Sequence, residues 1–290
     1  MAGVRNFDLY FTGPIAAVAF ITIAGYFLVG LAEITSRILR RRRVAWRDIY
    51  ISLFSVALDL PVAILTGHRW GRELGPRGLD FTVNGYQIFF GRDAFSWYQV
   101  FVAFVFADLW FYVTHRLYHG SNLFWIYHST HHSAPELHFL LGIRTGVFRY
   151  ATIAAWSLLA GRLPDLLGVS PSMFGVATGF VFFYQSLLHW DGFPRLGLVD
   201  RVLITPSNHR VHHAINLGPS RNLGGVTLLW DHIFGTFLAE PEIPLIYGIG
   251  APASEVYRPV AIQFYACKMF LRSFVRAKSF RSRMSALFYH

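Results

Sequence analysis

The 290-residue chain contains little charge and a single cysteine, Cys267. Charged residues make up 14% of the sequence, whereas about 25% is usual for a soluble domain. One cysteine excludes an intrachain disulfide, a cysteine-based zinc site and a cysteine-ligated iron–sulfur cluster. With 54% hydrophobic residues and a mean hydropathy of +0.39, the chain is not disordered, collagen-like or a coiled coil. The composition therefore favours an integral membrane protein.

Acidic residues are also scarce, and none follows Glu255. The net charge is +10 and the pI about 10.0, with the basic residues concentrated in two blocks at 37–47 and 258–283. Basic blocks beside apolar segments are typical of cytoplasmic anchors that face anionic lipid. Nucleic-acid binding is disfavoured because the aromatic residues lie inside the apolar runs and do not alternate with the basic ones.

Long apolar runs predict an all-α membrane protein with about four to five transmembrane or re-entrant helices. The runs occupy residues 14–32, 49–65, 95–114, 147–167 and 171–188. A cleaved signal peptide is the rival interpretation of the first run, and Asp8 beside Arg5 disfavours it. The basic block after the first run indicates its cytoplasmic end, and counting crossings returns the chain to the cytoplasm near residue 115 and again after 189. We expect a cytoplasmic helical cap there.

Histidines are concentrated in one part of the chain, where ten of the thirteen fall between positions 115 and 213. Two of the ten form an HxxxH pair, two triplets have the spacing HxxHH, and one stands alone at the end of the last apolar run. In chain order these are His115 and His119; His128, His131 and His132; His189; and His209, His212 and His213.

This spacing predicts a histidine-rich metal site. Positions i, i+3 and i+4 share one helix face, so each triplet directs its imidazoles to one side. Neutral imidazole is the commonest protein metal ligand. Nine imidazoles exceed the capacity of one ion, whereas two ions with five or six positions each accept nine and leave room for oxygen. Imidazole suits zinc, copper, iron and nickel, no carboxylate stands at ligand spacing, and the spacing alone does not choose iron over zinc.

Three acidic residues are candidates for supporting the metal ligands. Asp108 lies two helical turns before His115 and is expected to accept the second N–H of a ligand histidine, with pairing to an arginine as the alternative. Glu136 and Asp231 are weaker candidates, because no strict spacing links them to a ligand. The remaining internal histidines, His68, His138 and His232, lack the spacing and are interpreted as structural or solvated.

Between about Asp108 and Phe237 the chain resembles the fatty acid hydroxylase/sterol desaturase superfamily of membrane di-iron oxygenases. The segments that carry the resemblance are DLWFYVTHRLYH, FWIYHSTHHSAPELHFLLGIRTG, YQSLLHW, TPSNHRVHH and NLGGVTLLWDHIFGTF. Within the superfamily the chain is most similar to the alkylglycerol monooxygenase and bacterial sterol-desaturase-like branch, through Tyr184-Gln185 and the TPSNHRVHH string. It departs from many members at Asn208, where they have histidine, and at 220–225, where they have Asp-Lys-Asn-Tyr-Gly-Gly.

The resemblance implies a helical membrane bundle in which the nine histidines hold two iron ions, with zinc as a substitute in recombinant or non-native protein. It implies hydroxylation of a lipid C–H bond with molecular oxygen, and electrons from a separate cytochrome b5-like or ferredoxin-like protein or a reduced pterin. We expect a membrane region at 1–95, a catalytic domain at 96–240 and a basic tail at 241–290. The expected location is the bacterial inner membrane, with the metal site on its cytoplasmic side and no nucleic-acid partner.

Other functions remain open on the sequence alone. The same site could desaturate a lipid instead of hydroxylating it, and substrate placement rather than sequence decides between the two. A membrane metal transporter would place histidines along a pore, a haem protein needs one or two axial histidines per haem, and a zinc hydrolase needs fewer ligands. Aromatic side chains near the histidines, among them Trp110, Trp125, Phe183 and Trp190, are candidates for lining the substrate cavity or for packing.

Overall fold

The computed structural model describes residues 14–58, 97–147, 166, 168–169, 171–218 and 220–288. These residues are mostly helical and include no β-strand, although two isolated bridges join Leu203 to Thr227 and Ala214 to Tyr247. The prediction of a helical fold is confirmed at this level. The apolar run 147–167 and the part of the second run after residue 58 lie largely outside the described residues, as do His68 and His290.

The helices are numbered here in chain order. They are α1 (Pro14–Leu39), α2 (46–58), α3 (Trp97–Gly120), α4 (Asn122–His132), α5 (Pro171–Ser186), α6 (Pro206–His213), α7 (Leu229–Phe234), α8 (Ala253–Val256), α9 (Pro259–Arg276) and α10 (Phe280–Phe288). Short 3₁₀ turns occupy Phe139–Ile143, Leu187–His189, Val199–Arg201 and Ile215–Leu217. Proline occupies the first turn of α6 and α9, where its missing N–H would have no partner within the helix. Gly235 ends α7 in the left-handed conformation at φ 70°.

Helix α3 is the central element around which the site is built. Among the residues the structure describes, it is the helix whose length and composition suit a membrane crossing. Its small residues Ala103 and Ala107 are buried, and Ala107 packs with Val181 of α5 and Val226. The opposite side of its N-terminal half is exposed, with Trp97 79% and Phe101 66% accessible. The helix therefore has a packed face toward α5 and an apolar face that no described residue covers.

Helices α1 and α2 attach to the segment after α4 through buried polar groups. Glu33 of α1 accepts a hydrogen bond from Arg37 at 3.0 Å and another from the backbone N–H of Phe139 at 2.6 Å. Asp48 of α2 pairs with the fully buried Arg144 at 3.0 Å. Breaking a buried pair leaves an uncompensated charge, so these contacts fix the two helices against the 133–144 segment. The N-terminal region is thus part of the support of the histidine segment.

Candidate metal centre

Four helical segments bring the nine predicted histidines together. Helix α3 supplies two, α4 three, the 3₁₀ turn Leu187–His189 one and α6 three. Their candidate ligand nitrogens form two compact groups, each with all members within 4.8 Å of one another. The first group is His115, His119, His128, His132 and His212; the second is His131, His189, His209 and His213.

Helices α4 and α6 each contribute to both groups. In α4 the i, i+4 pair His128 and His132 joins the first group, while His131 joins the second. In α6 the i, i+4 pair His209 and His213 joins the second group, while His212 joins the first. The HxxHH spacing thus divides each triplet as two plus one, because the i+3 residue is rotated away from the line that joins i and i+4.

The contacts between Nε2 atoms within each group are more numerous than hydrogen bonding alone can satisfy. In the first group the row His115, His128, His132, His212 has successive Nε2 separations of 3.0, 3.0 and 3.1 Å. In the second, the row His131, His189, His209, His213 has separations of 3.1, 2.8 and 3.1 Å. A neutral imidazole Nε2 holds either one proton or one lone pair. Four such nitrogens make at most two N–H···N bonds, so one of the three contacts in each row lacks a bridging proton.

A cation in each group would resolve this conflict. Each group offers at least four imidazole nitrogens within 4.8 Å of one another, and this set of donors suits a metal ion. The residues present therefore fit a metal centre with imidazole ligands.

Burial keeps these imidazoles neutral, as metal ligation requires. Removal from water lowers the pKa of His212 to about 4. Burial lowers the pKa of His209 and that of His213 well below the ordinary value, and neighbouring imidazoles lower them further. The uncharged form binds metal, so the lone pairs are available at neutral pH without loss of a proton.

A loop at residues 220–228 fixes the orientation of two rings of the first group. His115 donates from Nδ1 to the carbonyl of Leu223 at 3.1 Å, and His212 donates from Nδ1 to the carbonyl of Arg221 at 2.9 Å. A proton on Nδ1 leaves the Nε2 lone pair for a metal. Backbone carbonyls thus take the place that the sequence analysis gave to a carboxylate.

Asp108 and Asp231 act on this loop and not on a histidine. Asp231 is fully buried and accepts hydrogen bonds from the N–H groups of Leu223 at 2.7 Å and Gly224 at 2.8 Å. Asp108 accepts from the N–H of Val226 at 2.6 Å, and also from Thr227 and Trp230. Asp108 therefore accepts hydrogen bonds from the loop and not, as expected, from a histidine. The loop in turn holds His115.

The loop approaches its neighbours so closely that two positions require glycine. A Cβ on Gly224 would lie 2.2 Å from the carbonyl oxygen of Thr227, and one on Gly225 would lie 2.8 Å from Oδ1 of Asp108. Gln185 of α5 donates to the carbonyl of Gly224 at 3.0 Å and also to that of Gly225. Buried polar side chains from α3, α5 and α7 therefore hold the loop from three directions.

The second group is supported from the N-terminal side by Arg144. The imidazole of His131 lies near Arg144, which influences the His131 pKa through its backbone and its charge. The Arg144 guanidinium donates to Asp48 at 3.0 Å and to Ser133 Oγ at 2.7 Å. The sequence does not mark Arg144, Asp48 or Gln185 as supports of the site, since their role depends on contacts between distant segments. The signal available in the sequence was an arginine directly after the apolar segment 139–143.

The other candidate residues lie outside the two groups. Glu136 belongs to neither histidine group and lines a separate pocket together with residues 43–48 and Tyr257. His138 is buried, and neither of its ring nitrogens hydrogen-bonds within the described residues. Burial, with smaller contributions from Arg144 and Arg37, lowers the His138 pKa to about 3. His232 is exposed and bonds to the carbonyl of Arg201 at 2.8 Å, which agrees with a structural role.

Aromatic rings surround the first group. The Trp125 ring lies 5.2 Å from that of His119 and 5.3 Å from that of His132, and the Phe111 ring meets His115 edge-on at 5.2 Å. Trp125, a member of the predicted aromatic set, thus packs on two histidines of the first group. By contrast, Trp110 stacks on Phe106.

Comparison with known proteins gives one family and several relatives. The fatty acid hydroxylase family model matches residues 100–236. Alkylglycerol monooxygenase of Homo sapiens is 33% identical over 194 residues, which are 67% of this chain and 41% of the relative. The Xenopus tropicalis protein of the same name is 30% identical over 196 residues, with the same two coverages. Ornithine lipid hydroxylase OlsE of Rhizobium tropici is 32% identical over 150 residues, 50% of this chain and 43% of the relative.

The match extends over part of each relative only. The chain spans about two fifths of the length of the curated relatives named above. No solved structure matches the chain significantly.

Proposed function

The chain belongs to the fatty acid hydroxylase superfamily, in its alkylglycerol monooxygenase-like branch, and we propose that it hydroxylates a C–H bond of a lipid with molecular oxygen at two iron ions. The observation that carries the proposal is the division of nine imidazoles into groups of five and four. The groups lie side by side and share two helices, which disfavours a transporter with sites along a pore.

Each ion is assigned to one group. His115, His119, His128, His132 and His212 would hold one ion, and His131, His189, His209 and His213 the other. Bound iron would supply the activation of oxygen and the removal of a hydrogen atom from the substrate. The chain supplies the neutral imidazoles, the carbonyls of Leu223 and Arg221 that orient two of them, and a site closed to water by burial.

The proposed substrate is a lipid with a long apolar chain and a polar headgroup. The relatives' names describe enzymes of alkylglycerols and of ornithine lipids, which share this form. A fatty acyl, alkyl-lipid or sterol-like chain fits a site that adjoins apolar helices.

Desaturation by the same site is the alternative reaction. It would remove a second hydrogen atom from the substrate, with no hydroxyl group added.

The membrane arrangement is also proposed. We infer four to five membrane-spanning or re-entrant helices, a cytoplasmic cap that carries the metal site, and residence in the bacterial inner membrane. The exposed Trp97 and Phe101 of α3 and Phe180 of α5 support a lipid-facing surface, since apolar faces of this extent are unusual on soluble monomers. The basic block 40–43 supports a cytoplasmic end for α1.

The proposed division of the chain is a membrane region at 1–95, a catalytic domain at 96–240 and a basic tail at 241–290. The family match at 100–236 supports the middle unit. The electrons for the reaction would come from a separate donor, either a cytochrome b5-like or ferredoxin-like protein or a reduced pterin.

The proposal is tested by metal analysis and product analysis of the same purified protein. We expect about two irons per chain and, in cells that express the chain, a lipid that gains one oxygen atom by mass spectrometry. His131→Ala and His212→Ala remove one ligand from each group and are expected to abolish the product while the protein still inserts into membranes. His232→Ala, which alters an exposed histidine, is the matched control and is expected to retain activity.

Three results would contradict the proposal. They are a single zinc per chain, product formed without oxygen, or full activity in both ligand variants. Loss of two hydrogen atoms from the lipid, with no oxygen gained, would identify the chain as a desaturase.

A further inference from the structure

A pocket of about 380 Å³ lies between the connection from α1 to α2 and the segment that follows α4. Residues 43–48 form one wall, and Glu136 and Tyr257 form the other. The pocket is distinct from the histidine groups, and the proposed mechanism assigns it no role. Its volume is in the range of small-molecule sites.

The pocket is lined by both positively and negatively charged side chains, and most of these do not pair with one another within the described residues. Arg43 and Arg47 are exposed, and neither forms an ion pair within the described residues. Glu136 also forms no ion pair there, whereas Asp48 is committed to Arg144 at 3.0 Å. Two cations and one carboxylate are therefore available to a ligand.

Aromatic residues give the pocket its shape. The Arg47 guanidinium lies 5.5 Å from the centre of the Tyr257 ring, which holds the arginine against one wall. Trp46, which is 60% exposed, also lines the pocket. Burial raises the Tyr257 pKa, and Asp48 and Glu136 raise it further, so the two carboxyl groups lie close to this ring.

The pocket is linked to the metal centre by short stretches of chain. Glu136 follows His132 by four residues, so their Cα atoms are at most about 14 Å apart. On the other side, Arg144 donates to Asp48 at 3.0 Å and lies near His131. A molecule held in the pocket would therefore be anchored near the two histidine groups.

We propose that this pocket binds the headgroup of the lipid substrate, and that the headgroup is zwitterionic. Arg43 and Arg47 contact its acidic group, a phosphate or a carboxylate, and Glu136 contacts its ammonium group. Guanidinium groups suit both acids, and a carboxylate selects for a charged amine. The assignment rests on the proposed function, since it treats the ligand as a lipid substrate, and it predicts oxidation in the part of the chain near the headgroup.

The test measures binding by calorimetry, with full-length protein in detergent and short-chain lipids below their micelle concentration. Dihexanoyl phosphatidylethanolamine carries phosphate and ammonium, and dihexanoyl phosphatidylglycerol carries phosphate alone. We expect the first to bind about tenfold more tightly, as one hydrogen bond between charged groups allows. Nα-decanoyl-lysine, with a carboxylate and an ammonium, reports which acid the two arginines prefer.

Two variants separate the contacts. Glu136→Gln is expected to bring the two phospholipids to nearly equal affinity, while Arg47→Gln is expected to weaken both about tenfold without changing their ratio. Glu242→Gln and Arg281→Gln alter exposed charges away from the pocket and are expected to bind like the unmodified chain. Melting temperatures show whether each variant is folded.

An unchanged preference for the ammonium-bearing lipid in folded Glu136→Gln would overturn the proposal, as would equal binding of the two lipids by the unmodified chain.

Binding is measured without turnover, so the experiment distinguishes a failure of the headgroup assignment from a failure of the proposed reaction. The expected binding with no oxidised lipid would refute the hydroxylase. An oxidised lipid with no headgroup preference would refute the pocket assignment. In active enzyme, Glu136→Gln is expected to raise KM for the ammonium-bearing lipid with little change in kcat.

Discussion

The two histidine groups use the same kind of ligand but are supported by different parts of the chain. The first group is oriented by the carbonyls of the 220–228 loop, which Asp108, Gln185 and Asp231 hold in place. The second group lies near Arg144, which a buried ion pair fixes to α2. The difference shows that one metal centre can be assembled from a C-terminal loop and an N-terminal helix. Substitutions on the two sides should therefore affect the two ions unequally.

The largest effect is expected for Arg144→Met. It leaves the Asp48 carboxylate buried without a partner, so the free energy of unfolding should fall by about 3–5 kcal/mol, and the second group should lose metal first. The measurements are thermal unfolding and the metal content per chain. The double variant Arg144→Met with Asp48→Leu removes both charges and is expected to recover much of the stability. Arg195→Met, at an exposed pair, is the control and should change it by less than about 1 kcal/mol.

Gly224→Ala is expected to act on the first group. The new Cβ would meet the Thr227 carbonyl at 2.2 Å, so the loop must move, at a cost of about 1–3 kcal/mol. Displacement of the Leu223 carbonyl releases the His115 ring, so metal content should fall toward one ion per chain. Gly120→Ala, where no atom lies within 4 Å of the added Cβ, should retain both ions. Equal metal loss in the two variants would refute the role of the loop.

Asp231→Asn is expected to weaken the 220–228 loop less than Gly224→Ala does. One of the N–H groups of Leu223 and Gly224 loses its acceptor, which costs about 1–3 kcal/mol. Since Asp231 acts through the loop on His115, the affinity of the first ion should fall by about 10–100-fold, as for other residues that orient metal ligands. Competition with a chelator measures this affinity. Unchanged retention of both ions would show that the loop holds its position without the carboxylate.

The smallest effect is expected at His138. It is buried beside the site but belongs to neither group, and its ring forms no hydrogen bond within the described residues. His138→Leu should therefore keep both ions and change the free energy of unfolding by less than about 1 kcal/mol, since it breaks no hydrogen bond between those residues. His132→Leu, by comparison, should lose metal. Metal loss from His138→Leu would mean that the ligand set extends beyond the nine histidines.

The convergence of the nine histidines could be predicted from the sequence, because the evidence was local. The HxxxH and HxxHH spacings place imidazoles on one helix face, whatever the rest of the fold does. The contacts of Asp108 and Glu136 could not be predicted in this way. Seven residues of helical spacing suggested that Asp108 faces a histidine, but its oxygens meet N–H groups of a loop 118 residues away. A contact between distant segments leaves no periodic signal in a single sequence.

The residues that support the site likewise could not be predicted, because they are far apart in the sequence. Arg144 and Asp48 are 96 residues apart, and Gln185 reaches the loop across 39 residues. Arg144 and Asp48 look unremarkable in their own segments, and Gln185 was noted only as part of the Tyr184-Gln185 pair that carries the resemblance. The helical class and the apolar character of α3 could be predicted because they depend on composition and period, which short windows reveal. The pairing of these polar groups depends on how helices pack, which no short window contains.

The two-plus-one division of α4 and α6 has a consequence for how the centre is filled. Each of these helices is rigid, so an ion that draws His128 and His132 into place also sets the direction of His131, and the same holds for His209, His213 and His212. Binding of the first ion would thus order part of the side chains that the second ion requires. Metal uptake should therefore be cooperative, with a Hill coefficient above one. Each ion would therefore assist the binding of the other, because the two groups share the same two helices.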